Sequence, residues 1–173
     1  MSNARCHIFT EKDGLLSKVA HDLRIRVDRF DVKVEGAGDG RQVTATFDPG
    51  SLVVETAISK GADNPSALSA KDRAKIEKSI QTDVLDVRRN AEIRFTSKSI
   101  EERGAGLVVT GDLTLHGRTR SLTVEARDAG DAWEASVTLH QPDFGIKPFS
   151  AMMGTLKVKP DLRVEISVPK SDG

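Results

Sequence analysis

The sequence predicts the all-β class: an antiparallel sheet that curls around its own interior, accompanied by one helix. Leu107, Val109, Gly111, Leu113 and Leu115 share one face of a strand, and Thr110, Asp112 and Thr114 the other; after His116-Gly-Arg-Thr119 the alternation resumes at Leu122, Val124 and Ala126. A side-chain period of two gives each strand one face toward an apolar interior and one toward water, so this stretch is a hairpin. The same alternation recurs through most of the chain. Only the segment from about 70 to 82 replaces it, with Ile76, Ile80 and Val84 spaced by four, which is the stripe of a helix.

Each element can be justified in order. Cys6 and His7 sit in a first strand, facing opposite ways. From Val19 the apolar phase runs through Leu23, Ile25 and Val27, with His21 in step, and then shifts to Phe30, Val32 and Val34. A one-residue slip would turn the apolar set outward, so Asp28-Arg29 marks a bulge or bend. Gly36 to Gly40 is a turn; Val43, Ala45 and Phe47 form the next strand; Asp48 to Ser51 punctuates it before Leu52 to Ile58. Gly61 to Pro65 reads as a loop, and Ser69 with Asp72 caps the helix. Trp133, Ala135, Val137 and Leu139 alternate with polar residues, Leu156 and Val158 precede Pro160, and Leu162, Val164, Ile166 and Val168 close the chain. The runs amount to about eight or nine strands, the pattern of a sandwich or barrel.

Composition bounds what such a protein does. The 173 residues make one domain, 1–173, with a core from about 5 to 169. Lys plus Arg and Asp plus Glu number 26 each, so there is no global field for nucleic acid or an anionic membrane. With six Phe, one Trp and no Tyr, base-stacking platforms are excluded. The single cysteine forms no internal disulfide, and no apolar run has the length of a leader or a membrane span. The expectation is a cytoplasmic protein without stable membrane insertion, with a homodimer compatible.

Four segments together resemble the YceI-like family. They are Leu68-Ser-Ala-Lys-Asp-Arg joined to Asp83-Val-Leu-Asp-Val, Ile93-Arg-Phe-Thr-Ser-Lys-Ser-Ile100, Gly111-Asp-Leu-Thr-Leu-His-Gly-Arg-Thr-Arg, and Asp143-Phe-Gly-Ile146. The set spans roughly Val19 to Val168. Leu85 stands where an aromatic is usual, and Asn90-Ala91 where a Tyr-Pro pair is common. The resemblance implies a lipocalin-like antiparallel eight-stranded β-barrel with one α-helix packed at its end or edge. It also implies binding of an elongated apolar molecule, an isoprenoid or fatty-acid-derived lipid, with no cofactor.

Within that frame the expected ligand-facing residues are Leu23, Ile25, Phe30, Phe47, Phe95, Leu113, Leu115, Val124, Trp133, Val137 and Leu156. Phe144, Phe149, Met152 and Met153 are soft or large apolar groups in an irregular loop, suited to a lid or a plug. His21 is the sharpest single position, because an inward imidazole can orient a ligand head group or bond to a backbone carbonyl. The four histidines lack ligand spacing, so no metal site is expected. Lys71, Arg73, Lys75 and Lys78 read as a solvated helix face. Two rivals to a carrier stand: a barrel enzyme with His21 as general base, which needs a second polar group in reach, and a filled barrel acting as a structural or protein-interaction module.

Overall fold

The structure, a computed structural model, describes residues 3–14, 21–151 and 156–170. Met152, Met153 and the side chain of Leu156 lie outside the described residues, as does Val19.

Thirteen strands and one helix follow in chain order: β1 (Arg5–Thr10), β2 (Asp22–Val27), β3 (Phe30–Glu35), β4 (Gln42–Phe47), β5 (Leu52–Ser59), β6 (Ala62–Asn64), α1 (Ala70–Ser79), β7 (Ile93–Arg103), β8 (Gly106–Leu115), β9 (Arg118–Asp128), β10 (Ala132–His140), β11 (Ser150–Ala151), β12 (Leu156–Lys157) and β13 (Asp161–Pro169). Eleven form one antiparallel sheet in the order β3-β4-β7-β8-β9-β10-β13-β1-β2-β5-β6, and β11 pairs with β12 apart from it. The all-β class with one helix therefore holds. The expected eight strands closed edge to edge do not appear, because the hydrogen-bond order ends at β3 and β6.

The surplus strands come from bends. Between β2 and β3 only Asp28 and Arg29 intervene, and between β4 and β5 only Asp48 to Ser51. The two breaks are tied together: Asp28 N–H donates to the Ser51 carbonyl (3.0 Å), Asp48 N–H to the Arg29 carbonyl (2.9 Å), and Arg29 N–H to Ser51 Oγ (2.9 Å). A two-stranded ribbon thus turns a corner with its backbone groups satisfied. One arm of the ribbon joins β7 through β4, the other joins β1 through β2. The phase shift at Asp28-Arg29 is this corner.

The β7–β8–β9 hairpins follow the alternation closely. His116 and Gly117 both have positive φ (54° and 73°), the two-residue turn whose twist suits a hairpin. Gly111 is needed on β8: a Cβ there would lie 2.3 Å from the Thr96 carbonyl oxygen and 2.7 Å from Phe95 Cζ. The ring of Phe95 crosses that space where β7 bulges between Ser97 and Ser99.

Helix α1 starts with the capping box that Ser69 and Asp72 spell: each side chain accepts from the other's backbone N–H, at 3.1 and 3.0 Å. It continues as a π turn over Ile80–Val84, with Leu85 N–H bonded to the Ile80 carbonyl. The Glu77 carboxylate accepts from Val54 N–H (2.9 Å), beside the bulge at Glu55 that shifts the β2–β5 register. This bond fastens the helix to β5. The stretch expected as a loop after Gly61 contains a short strand instead, β6, because Lys60 and Gly61 turn the chain back onto β5.

Candidate functional site

Inward positions of the sheet and one side of α1 enclose a cavity of about 680 Å3. Its wall is almost wholly apolar, drawn from β1 to β5 and β7 to β10, from β13, and from Ile76, Ile80, Val84 and Leu85 of the helical segment. The reason is the alternation itself: every second residue of each strand is Leu, Ile, Val, Phe or Ala, and all point one way. The polar exceptions are few. Thr10, His21, Gln141 and Lys157 come from the strand ends and loops at one end of the sheet, and Asp72, Lys75 and Ser79 from α1.

The residues named from the sequence fall in three groups. His21, Leu23, Ile25, Phe47, Phe95, Leu113, Leu115, Val124, Trp133, Val137 and Phe149 line the cavity. Phe30 and Phe144 do not. The Phe30 ring stacks on Phe47 with centroids 5.8 Å apart, beside the cavity wall instead of in it. Phe144 ends a 3-10 turn and is 4% exposed, packed into the core with Ile146. Of the loop aromatics, Phe149 lines the cavity and Phe144 does not. Met152, Met153 and the side chain of Leu156 are outside the described residues.

The sequence reading missed three wall residues of the helix: Lys75, which it assigned to a solvated face, Asp72, which it read only as part of the helix cap, and Ser79. The signal was present: Asp72 lies four residues before Ile76 and Ser79 three after it, and Lys75 lies four before Ser79, beside the apolar stripe. Thr10 was also missed, although it shares phase with Cys6 and Ile8. Its hydroxyl is buried and has no hydrogen-bond partner among the described residues, a cost in an apolar wall.

Cys6 is 1% exposed and lines the cavity. Burial pushes its thiol up to about 12, so at neutral pH it is a neutral apolar wall group and no nucleophile. The ring of Trp133 lies under Lys170, whose Nζ is 4.6 Å from the centroid, and Lys170 also contacts Asp128 at 2.5 Å. His116 and His140 stand at the ends of strands: His116 Nδ1 is 3.3 Å from the Phe144 carbonyl and His140 Nδ1 2.5 Å from Asp161. Among the described residues no three His, Cys, Asp or Glu are placed to share a metal ion. No helix among them is long and apolar enough to cross a membrane.

The outer face behind this wall is charged. Glu55 accepts from Arg24 Nε (2.7 Å) and Arg26 Nη1 (3.1 Å), His7 Nε2 approaches it at 3.4 Å, and the Arg24 fork grips Asp63 at 2.7 and 3.0 Å. Burial works to raise the Glu55 pKa, but Arg24 and Arg26 outweigh it and hold the carboxyl below its ordinary value.

Comparison with known proteins agrees with this architecture. A UPF0312 protein of Pseudomonas putida is 39% identical over 94 residues, covering 48% of each chain. A UPF0312 protein of Pseudomonas aeruginosa is 37% identical over 75 residues, covering 38% of this chain and 39% of its own. The chain thus matches about half the length of these curated relatives or less. Among solved structures, BcnA of Burkholderia cenocepacia superposes with a TM-score of 0.70 over 97% of this chain and 96% of its own, at 14% identity. A polyisoprenoid binding domain from Saccharophagus degradans superposes with a TM-score of 0.57 over 95% and 91%, at 9% identity. At such identities the likeness concerns the fold. The YceI-like domain model matches residues 8–169, nearly the whole described sheet, and the chain belongs to that family.

Proposed function

We propose that this protein binds one elongated apolar small molecule, an isoprenoid or fatty-acid-derived lipid, and sequesters or carries it without chemical change. The cavity carries this reading: about 680 Å3, apolar over nearly its whole wall, within the range of about 300–1,000 Å3 typical of small-molecule pockets. The polyisoprenoid binding domain among the structural neighbours supports the ligand class. Each methylene moved from water into such a wall gains about 0.8 kcal/mol. Ten to fifteen of them give about 8–12 kcal/mol, enough to offset an association cost of about 4 kcal/mol or more.

The same reading treats the sheet as an eight-stranded lipocalin-like barrel. Support comes from the corner: with β6 set aside and β2–β3 and β4–β5 each counted as one bent strand, the sheet order reduces to eight. A barrel of about that size holds one small ligand or is filled by side chains. His21 is the group we assign to the ligand's polar head, since it stands in the wall at the same end as Thr10, Gln141 and Lys157.

The test is native mass spectrometry of the protein as purified, with solvent extraction, followed by titration with a defined long-chain isoprenoid alcohol and a fatty amide. One molecule per chain and a change in Trp133 emission are expected. An Ala135→Trp variant, which puts a large ring into the cavity two residues along β10 from Trp133, should lose uptake while staying folded. Failure of every lipid class to bind sinks the carrier function, and turnover of a bound ligand replaces it with the enzyme.

A further inference from the structure

The two ends of the large sheet are unequal. At one end β6 is three residues long, and a short edge offers little to a further strand. At the other, β3 runs for six residues and, among the described residues, pairs only with β4.

The backbone groups left over on β3 can be identified. On β4, Val43 N–H points to β7, where it donates to Ser97 Oγ at 2.9 Å, while Asp48 N–H points to the Arg29 carbonyl. Since the direction alternates residue by residue, Gln42, Thr44 and Thr46 face β3 and bond with Glu35, Lys33 and Asp31, their register partners. Phe30, Val32 and Val34 therefore turn their N–H and C=O groups to the open edge.

The outward side chains along the same segment alternate in sign: Arg29, Asp31, Lys33, Glu35. Those of Arg29, Asp31 and Lys33 are 67%, 63% and 62% exposed. Their present partners are local, Asp48 for Arg29 at 2.8 Å and Asp31 for Lys33 at 3.8 Å along one strand.

We infer that β3 is the docking edge for a second copy of this chain, paired antiparallel about a two-fold axis at Val32. In this register Val32 faces Val32, Phe30 of each copy faces Val34 of the other, and these supply the edge hydrogen bonds. Asp31 of each copy then faces Lys33 of the other, and Arg29 faces Glu35. All four outward pairs are of opposite sign and fall at the non-hydrogen-bonded positions, where side chains come closest. A shift of two residues either way sets Lys33 against Lys33 or Asp31 against Asp31. A shift of one residue sets valines against charges and turns one apolar face outward. The sequence of β3 is thus complementary to itself in one register, which selects a second copy over an unrelated strand. The interface is small, so the dimer is a weak one.

Sedimentation of the full chain over a concentration series tests this. Wild type should pass from monomer to dimer, and raised salt should favour the monomer. Lys33→Asp places like charges together and should raise the dissociation constant at least about tenfold. The exchange Asp31→Lys with Lys33→Asp restores opposite signs and should return the constant to within about threefold of wild type. Val32→Pro removes an N–H used by no strand of the same chain and should abolish the dimer. Circular dichroism reports whether each variant keeps its fold, since Val32 also lines the cavity; if Val32→Pro does not, the charge pair decides alone. A wild type that stays monomeric to about 1 mM overturns the inference. So does a dimer indifferent to Lys33→Asp, or one not rescued by the exchange.

Discussion

The inward residues of β2, β7 and β8 are covered by their neighbours, whereas those of β9, β10 and β13 border open space. Leu23, Ile25, Phe95, Leu107, Val109 and Leu113 are 3–8% exposed. Leu122, Val124, Val137, Leu139, Val164 and Ile166 are only partly buried, though they lie on equally regular strands. The first half of the wall behaves as a core, filled by Phe95, the strands beside it and the helical residues Leu68 and Leu85. The second half behaves as a lining. A container needs both: one side that holds the strands in place and one that leaves room for a guest.

Substitutions should separate the halves. The largest expected effect is Phe95→Ala, which empties the packed side and should cost about 3–5 kcal/mol in denaturant unfolding. Gly111→Ala follows, because its methyl meets the backbone of β7 at Thr96 and Ser97 as well as the buried Phe95 ring; overpacking of this kind costs about 1–3 kcal/mol. On the lining side, Leu139→Ala should cost about 1 kcal/mol or less, since its atoms already face a void, while weakening lipid binding severalfold. Equal losses of stability for Phe95→Ala and Leu139→Ala would erase the distinction between the halves.

His21 belongs to the same contrast. As a ligand-directed group on the lining, His21→Ala should weaken binding by about 1–3 kcal/mol with little change in melting temperature. A stability loss without an affinity loss would retire it from the site.

The smallest effects concern pH, and the two halves should move in opposite directions. Behind the packed side, Glu55 is held below its ordinary pKa by Arg24 and Arg26 against the burial that would raise it. Its contribution is complete above the ordinary carboxyl value of about 4.3 and is lost as pH falls through the folded value. Behind the lining, the hydrogen bond to Asp161 raises the pKa of His140. That contribution is complete below about pH 6.5 and fades as pH rises through the folded value. Calorimetry from pH 6 to 8 should show a small downward drift in wild type that His140→Gln removes. An unchanged drift would mean that this surface pair adds nothing.

How much of this was written in the sequence depends on what each residue's pattern reports. Alternation in Leu107 to Leu115 and Leu122 to Ala126 reports which side a residue faces, and it gave the hairpin. Ser69 and Asp72 gave the helix start, and the phase change at Asp28-Arg29 gave the corner. Alternation does not report what stands across the interior, so Leu113 and Val137 looked alike although, of these two wall residues, one is buried by its neighbours and the other only partly buried. Phe144 was misjudged because a loop aromatic can fold inward as readily as over an opening; the 3-10 turn at Gln141–Phe144 sends it into the core. The ladder partners of β6 and the bulge at Glu55 depend on pairing across the sheet, which local pattern does not contain.

The pairing of β1 with β13 has a consequence for how the chain is made. Arg5 to Phe9 lie beside Arg163 to Ser167, so β1 gains that neighbour in synthesis only after every residue between the two has been added. Until then the lining strands carry an open apolar face. Contacts so distant along the chain are slow to form, and partly assembled sheets with bare edges are prone to associate. Cys6, neutral and shielded only when β1 has both neighbours, provides a clock for this step: the moment at which its thiol escapes alkylation marks the completion of the wall.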